Sequence, residues 1–455
     1  MTSLFADSNI HDLAGQLLTE AKKAGADAAE VVVAESQALT LGMRLGTLEK
    51  LERAESREVG VRVFVDHAKG FKVASVSTSR LQPQDLPDLA NRAVAMARVS
   101  PPDAYAGLAD AALLAKTWPE LDLFDPTEVS AQELRQQVEA MEQAALQNKG
   151  VCNTENAAAD WHAGRSFFAT SNGFVGGYQA TTSALSITAI AQAKDGSMEQ
   201  DYDYALARFR SDLPLAEQLG NRAGQQAVRR LNPHKLTTTT MPVVFAPRVA
   251  RDLIGQILSA ISGSSITRRA SFLLDKLGQQ VASSAITLQE DPHRLRGLRS
   301  RPFDAEGLAT VARPLITAGV LQSYLLDLAS ARQLSMTPTG HAARAMAGTP
   351  GASASNVWIE GGSQSPDQLM ADISHGLYVT DLMGMGVNLI TGDYSQGASG
   401  YVIDNGRLTD PISEVTIAGK LQDMLATATP ANDLVFAYGV DAPTIRVDQM
   451  MVAGK

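Results

Sequence analysis

The chain has 455 residues, 45% of them hydrophobic and 19% charged, with a formal net charge of −10. That length divides into two or three domains with sizeable cores, and the acidic balance excludes the basic footprint that nucleic acid or an anionic membrane surface selects. A single cysteine, Cys152, excludes an internal disulfide and a thiolate zinc cluster.

In chain order, Ile10, Leu13, Leu17 and Leu18 predict an amphipathic helix over 10–23, with Ser8 or Asn9 as its cap and Gly25 past its end. From Ala29 to Ser79 the period becomes two, as in LTLGMRLGTLEKLERAE and VGVRVFVDHAKGFKVASVSTS, where DHAKG supplies a hairpin turn. This is the pattern of an antiparallel sheet with one wet face. A helix over about 84–98 stops before Pro101 and Pro102, and SAQE at 130–133 is a capping box that opens another, ending near Gly150. Strands resume in FFATSNGFVGGYQATTSALSITAIAQ, turning at Asn172 and Gly173, and a helix follows over about 215–231.

Polar LNPHKLTTTTMP is the expected linker to the second half, which opens on the strand PVVFAP and an apolar helix over 246–263. Hairpins are expected around Thr317 to Gly319 and around Asn405 and Gly406, with helical insertions near 366–373 and 419–427. No solenoid period and no alternation of strand with long helix is present. The expected fold class is α+β, antiparallel sheets with packed helices in two main halves. The expected divisions are an N-terminal α/β domain at 1–105, a central domain at 106–235 and a sheet-rich C-terminal domain at 236–455.

The sequence has neither a basic-then-apolar leader nor an apolar run of about 18 residues, which predicts a cytoplasmic protein without signal peptide or membrane span. Seven histidines stand at 11, 67, 162, 234, 293, 341 and 375, the closest pair 34 residues apart, so no helix presents two imidazoles to one ion. CxxC, GxSxG and GxxxxGK are absent, and GDYSQG at 392–397 has the wrong offset for a nucleophile elbow. The glycines at 384 and 386 read as tight backbone packing, and Cys152 as a buried, inert thiol. HRLRGLRSR at 293–301 is the one basic cluster. It reads as a solvated loop, the alternatives being a subunit interface or a hold on acidic groups of a peptide.

SFLLDKLGQQV, RPFDAEGLAT, PLITAGVLQSYLLDLASARQL, TPTGHAAR and TGDYSQGASGYVIDNGRLTDPISEVTIAGKL follow one another through the second half. The first half carries GVRVFVDHAKGFKVASVSTS, ATSNGFVGGYQATTSALSITAIAQ and DYDYALAR. On these motifs the chain resembles the TldD/TldE (PmbA) family over nearly its whole length, on the TldE (PmbA) side. The resemblance implies a TldD/PmbA-like fold and a cytoplasmic heterodimeric zinc metallopeptidase. In that family a TldD-type subunit carries zinc on an HExxxH helix, with a cysteine near its C terminus.

Aligned from PVVFAP, the zinc helix falls on 246–263, and its ligand and base positions fall on Ile254, Gly255 and Ser259. An alkyl side chain has no lone pair, glycine has no side chain, and a lone neutral hydroxyl is a poor zinc ligand. The implied chain is therefore non-catalytic, with no metal ligand and no cofactor of its own, and zinc is expected in a TldD-type partner. Unfolded or extended peptide is the implied substrate, and the sequence leaves open whether the isolated chain forms a homodimer. Neither nucleic acid nor membrane is an expected partner.

Thr339, Gly340 and His341 in PTGHAAR, and Asp393, Tyr394 and Ser395 in GDYSQG, are the expected chamber or partner contacts. Their alternative is sheet turns bonded to nearby backbone. Two other functions stand beside the subunit reading. One is a homodimeric peptidase with a metal held by separated histidines such as His341 and His375. The other is a regulatory protein-binding factor, since the family has carried the label of modulator of DNA gyrase.

Overall fold

A computed structural model describes residues 10–454. Helix α1, Ile10–Lys23, buries Leu13, Leu17 and Ala21 along one stripe, as the sequence period predicts. Its expected caps, Ser8 and Asn9, lie outside the described residues. Next come β1 (Ala28–Arg44), β2 (Thr47–His67), β3 (Gly70–Thr78), α2 (Leu86–Val99), β4 (Pro102–Asp103) and α3 (Ala131–Leu146). Strands β5 (Val151–Thr170), β6 (Val175–Gln192) and β7 (Met198–Ala207) precede α4 (Ala216–Arg229). The seven strands form one antiparallel sheet in the order β4-β3-β2-β1-β5-β6-β7. Because β1 pairs with β5 from Glu30 opposite Thr170 to Met43 opposite Ala157, segments 1–105 and 106–235 share this sheet.

The two-residue alternation decides which face is dry. Val31 and Val33 join Leu17, Leu89 and Val94 of α1 and α2, while Leu41 and Met43 meet Val138 and Met141 of α3 and Leu219 of α4. The intervening Ala34, Ser36, Ala38 and Thr40 point away from the helices, and the residues opposite them on β5 are Ser166, Gly164, His162 and Asp160. This face is small and polar, with Ser36 Oγ 2.7 Å from Ser56 Oγ and Thr40 Oγ1 donating to Asp160 Oδ1 at 2.6 Å.

The capping box at Ser130 and Glu133 opens α3 as expected. Helix α4 then crosses α3 so closely that a Cβ on Gly220 would overlap Met141 O and touch Ala144. Gly220→Ala gains up to about 1 kcal/mol of helix propensity, but it forces two packed helices apart at a cost of about 1–3 kcal/mol. The overlap wins because its nearest atom is backbone, and a lowered urea midpoint with unchanged slope is the expected measurement.

Strand β8, Thr239–Phe245, lies inside the six-stranded sheet of the second half. It runs parallel to His375–Asn388 and antiparallel to Ile445–Ala453. Thr239, Thr240 and Met241, read as linker, belong to this strand because Val452, Met451 and Met450 pair with them. A second sheet joins β9 (Leu288–Asp291), β10 (Arg313–Thr317), β11 (Val320–Leu321), Asn356–Ile359 and Val440–Asp441. The turns expected at Ala318–Gly319 and Asn405–Gly406 both have positive φ at the two central positions, 45° and 80° and then 47° and 76°, the conformation of a two-residue hairpin. The expected second strand of the first hairpin ends at Leu321, and Asp327 instead caps a short helix, Leu328–Leu334. The fold is the α+β class predicted. No helix among the described residues is long and apolar enough to cross a membrane.

Candidate functional site

Helix α5, Pro247–Ala260, leaves β8 directly, with Pro247 starting it where no backbone N–H is needed. Val249, Ala250, Leu253, Ile254, Ile257 and Ala260 recur at helical spacing and bury their stripe in the large core between the two C-terminal sheets. Ile254 is fully buried in that stripe. Gly255 presents only backbone, and Ser259, exposed, donates its hydroxyl to Gly255 O at 2.8 Å. The three positions are thus an anchor, a bare backbone and a committed hydroxyl. They do not fit a zinc ion.

The same helix carries polar groups that pattern reading passed over. Gln256 donates to Asp252 Oδ1 at 3.1 Å, while Asp252 Oδ2 is buried without a hydrogen-bond partner among the described residues. Burial pushes the Asp252 carboxyl above its usual range, against the Gln256 bond that lowers it. Tyr394 is buried as well, its hydroxyl also without a partner among the described residues. Burial, and then the charge of Asp252, raise this phenol far above its ordinary value.

The first turn of α5 ties the two halves together. Arg248 donates to Asp201 of β7 through Nη1 at 2.7 Å and Nη2 at 3.0 Å, and its Nε donates to Thr380 O at 2.5 Å. Arg230 Nη1 reaches the same carboxylate at 3.3 Å. Burial disfavours the Arg248 charge, but the Asp201 bonds more than offset it and raise the guanidinium above its usual value.

Thr339, Gly340 and His341 are drawn into a buried network. Thr339 Oγ1 accepts from Leu326 N at 2.7 Å and donates to Leu326 O at 3.1 Å. His341 Nδ1 lies 2.7 Å from Thr339 Oγ1, and Nε2 lies 2.6 Å from Glu290 Oε2. Glu290 Oε1 accepts from Ser355 N and Ser355 Oγ at 2.6 and 2.8 Å. Burial raises the Glu290 pKa, and the bonds from His341 and Ser355 outweigh it, holding the carboxyl below its ordinary value. Gly340 sits at φ 73°, where a Cβ would press on Ala309 O, so the turn requires glycine.

These contacts correct the expectation of a chamber lining or partner contact at His341 and Tyr394, which are 3% and 1% exposed. Both hold the C-terminal half together from within. With both ring nitrogens engaged, His341 has no lone pair for a metal, which removes the pairing with exposed His375. Among the described residues no group of three or more His, Cys, Asp and Glu is placed to hold an ion.

Of the GDYSQG trio, Asp393 and Ser395 are exposed at the start of the strand Asp393–Asp404. Asp393 accepts from Thr391 Oγ1 at 2.5 Å and lies 3.9 Å from Lys420 Nζ. Two further expectations change. Cys152 is exposed rather than buried, its thiol near Ile190 O, since it stands where β5 slips register against β6. The basic run is solvated at Leu295, Arg296 and Arg299, as expected, but its guanidiniums are tethered: Arg299 donates to Ala354 O and Ser355 O, Arg301 to Ser353 O, and Arg296 pairs with Asp122 and Asp212. Glu290 had a faint signal in the sequence, because it continues the inward alternation of Ile286 and Leu288. Asp201 had none.

Three family models match in order. The PmbA/TldA metallopeptidase domain 1 covers residues 29–97, the central domain 124–231 and the C-terminal domain 238–454. The chain belongs to the PmbA/TldD family. Metalloprotease PmbA of Escherichia coli O157:H7 is 39% identical over 431 residues, spanning 94% of this chain and 93% of that protein. The PmbA homolog of Haemophilus influenzae is 36% identical over 95% of this chain and 94% of its own. Among solved structures, a putative modulator of DNA gyrase from Bacteroides thetaiotaomicron superposes with a TM-score of 0.89 at 26% identity, covering 99% of this chain and 100% of that one. TldE of Thermococcus kodakarensis shares the fold at a TM-score of 0.83 and 21% identity, over 97% and 100% of the two chains. On this PmbA/TldD frame, α5 is the helix that opens the C-terminal domain directly after β8.

Proposed function

We propose that this chain is the non-catalytic, TldE-type subunit of a cytoplasmic heterodimeric zinc metallopeptidase, and that it helps enclose an unfolded or extended peptide for a TldD-type partner. The observation that carries the reading is the composition of α5. Ile254 is fully buried, Gly255 has no side chain and the Ser259 hydroxyl is committed to the helix backbone. Those three positions supply no donor set for a metal and no base for activating water, and Asp252, the one carboxylate on the helix, has Oδ1 bonded to Gln256 and Oδ2 buried. The face of the seven-stranded sheet turned away from the helices supports the enclosing role. Its small alanines, serines and threonines support a surface along which an extended chain can pass.

The test is peptidase activity on an unfolded peptide with this chain alone, a TldD-type partner alone and the two mixed, with zinc measured in each. Activity confined to the mixture, with zinc confined to the partner, is the expected outcome. Chelator-sensitive activity with stoichiometric zinc in this chain alone overturns the proposal.

A further inference from the structure

Between the β7 edge at residues 204–207, the turn at 294–298 and the loop at 436–439 lies a cleft of about 350 Å³. Arg208, Arg222, Arg294 and Arg296 line it. Two of these are neutralised: Arg296 by Asp122 at 2.6 Å and Asp212 at 3.1 Å, and Arg222 by Asp203 at 2.6 Å. Arg208 donates to the carbonyls of Thr181, Gly297 and Leu298, and no carboxylate among the described residues pairs with it. Arg294 is held differently. Its guanidinium carbon sits 3.7 Å from the Phe436 ring centroid and 5.3 Å from that of Trp358, with neither a side-chain hydrogen bond nor an ion pair among the described residues.

The carboxylates in the lining do not serve as counter-ions to Arg294. Asp212 is held by Arg296, and Asp441 accepts from the backbone N–H groups of Ala437, Tyr438 and Gly439. A chain of net charge −10 thus keeps an unneutralised guanidinium at the mouth of a half-enclosed cleft. The cation–π contact places the guanidinium over the Phe436 ring and leaves its N–H fork without an acceptor among the described residues, and such a fork recognises a planar carboxylate with two bonds.

We propose that this cleft binds a peptide carboxylate, gripped by Arg294 against the Phe436 ring. The inference rests on the reading of the chain as a peptide-handling subunit and names the chemistry of the segment it holds. The carboxylate comes either from an acidic side chain or from a chain end, and the probes separate the two.

Binding to the full chain is measured by fluorescence anisotropy with three short labelled peptides. One carries internal glutamates and an amidated C terminus, one is neutral with a free C terminus, and one is neutral and amidated. At least one carboxylate-bearing peptide binds about ten-fold or more tighter than the third, the size expected for a charged hydrogen-bonded contact. Preference for the first assigns a side chain, and preference for the second a chain end. Arg294→Gln abolishes the preference without changing the melting temperature, and Arg294→Lys retains part of it. Equal binding of all three peptides, no binding at all, or a preference that survives in Arg294→Gln overturns the inference. Equally effective displacement by inorganic phosphate overturns it in favour of a phosphate site. A lost preference with the mixed subunits still active removes only the cleft, and an intact preference with an inactive mixture removes only the subunit reading.

Discussion

Glu290→Ala lowers the unfolding free energy by about 3–5 kcal/mol, the cost of leaving one member of a buried pair without its partner. Glu290 and His341 are 2% and 3% exposed, so water cannot replace the lost bonds. The substitution strands His341 Nε2 and also the Ser355 amide and hydroxyl that Glu290 Oε1 accepts. A double-mutant cycle with His341→Ala isolates the pair, and the double variant is less damaged than the two single losses predict.

The pH dependence carries a definite sign. The Glu290 carboxyl is held below its ordinary 4.5, so the folded state binds its proton less readily than the unfolded chain does. Its contribution is complete above about pH 4.5 and is lost as pH falls through the lower folded value. The parent therefore loses stability on the acid side below about pH 4.5 more steeply than Glu290→Ala, as measured by chemical denaturation across that window. Parallel acid limbs, or a loss under about 1 kcal/mol at neutral pH, contradict the role given to this pair.

Asp201→Ala is the second large effect, with an expected loss of about 3 kcal/mol. Asp201 is 3% exposed and takes two bonds from Arg248 and one from Arg230. Its removal leaves two guanidiniums facing each other across the junction of β7 and α5. The estimate sits at the low end of the range for broken buried pairs because the Arg248 side chain is 21% exposed and regains some water. Asp201→Asn preserves the acceptor oxygen but not the charge and falls between parent and Ala. Thermal unfolding gives the ranking, and faster amide exchange at Tyr202 and Tyr204 locates the damage at the junction. Unchanged melting in Asp201→Ala contradicts a role for the carboxylate in joining the halves.

The elements most legible in the sequence were those whose causes are local. The capping box at Ser130, the period of α1 and the turns at Ala318–Gly319 and Asn405–Gly406 all appear where short-range chemistry put them. The blankness of α5 was equally legible, because Ile254 and Gly255 lack donors in any fold. His341 misled, because nothing beside it announces Glu290, 51 residues away in sequence. The linker misled because the strand that captures Thr239 to Met241 lies at the far end of the chain. The tethering of the arginines at 299 and 301 was hidden because their acceptors are backbone carbonyls about 50 residues downstream, and a carbonyl has no signature in a sequence.

Residue chemistry along the chain was enough to specify the α+β class, the family and the missing lone pairs at Ile254 and Gly255, since periodicity, motif order and side-chain composition are properties of residues. Tertiary structure alone decided that the first two segments share one sheet, that His341 and Tyr394 are buried, and that one arginine of the basic run faces a cleft without a counter-ion among the described residues. Those outcomes depend on which distant groups arrive within about 3 Å of one another, because a polar side chain or guanidinium takes its role from the partner that satisfies it.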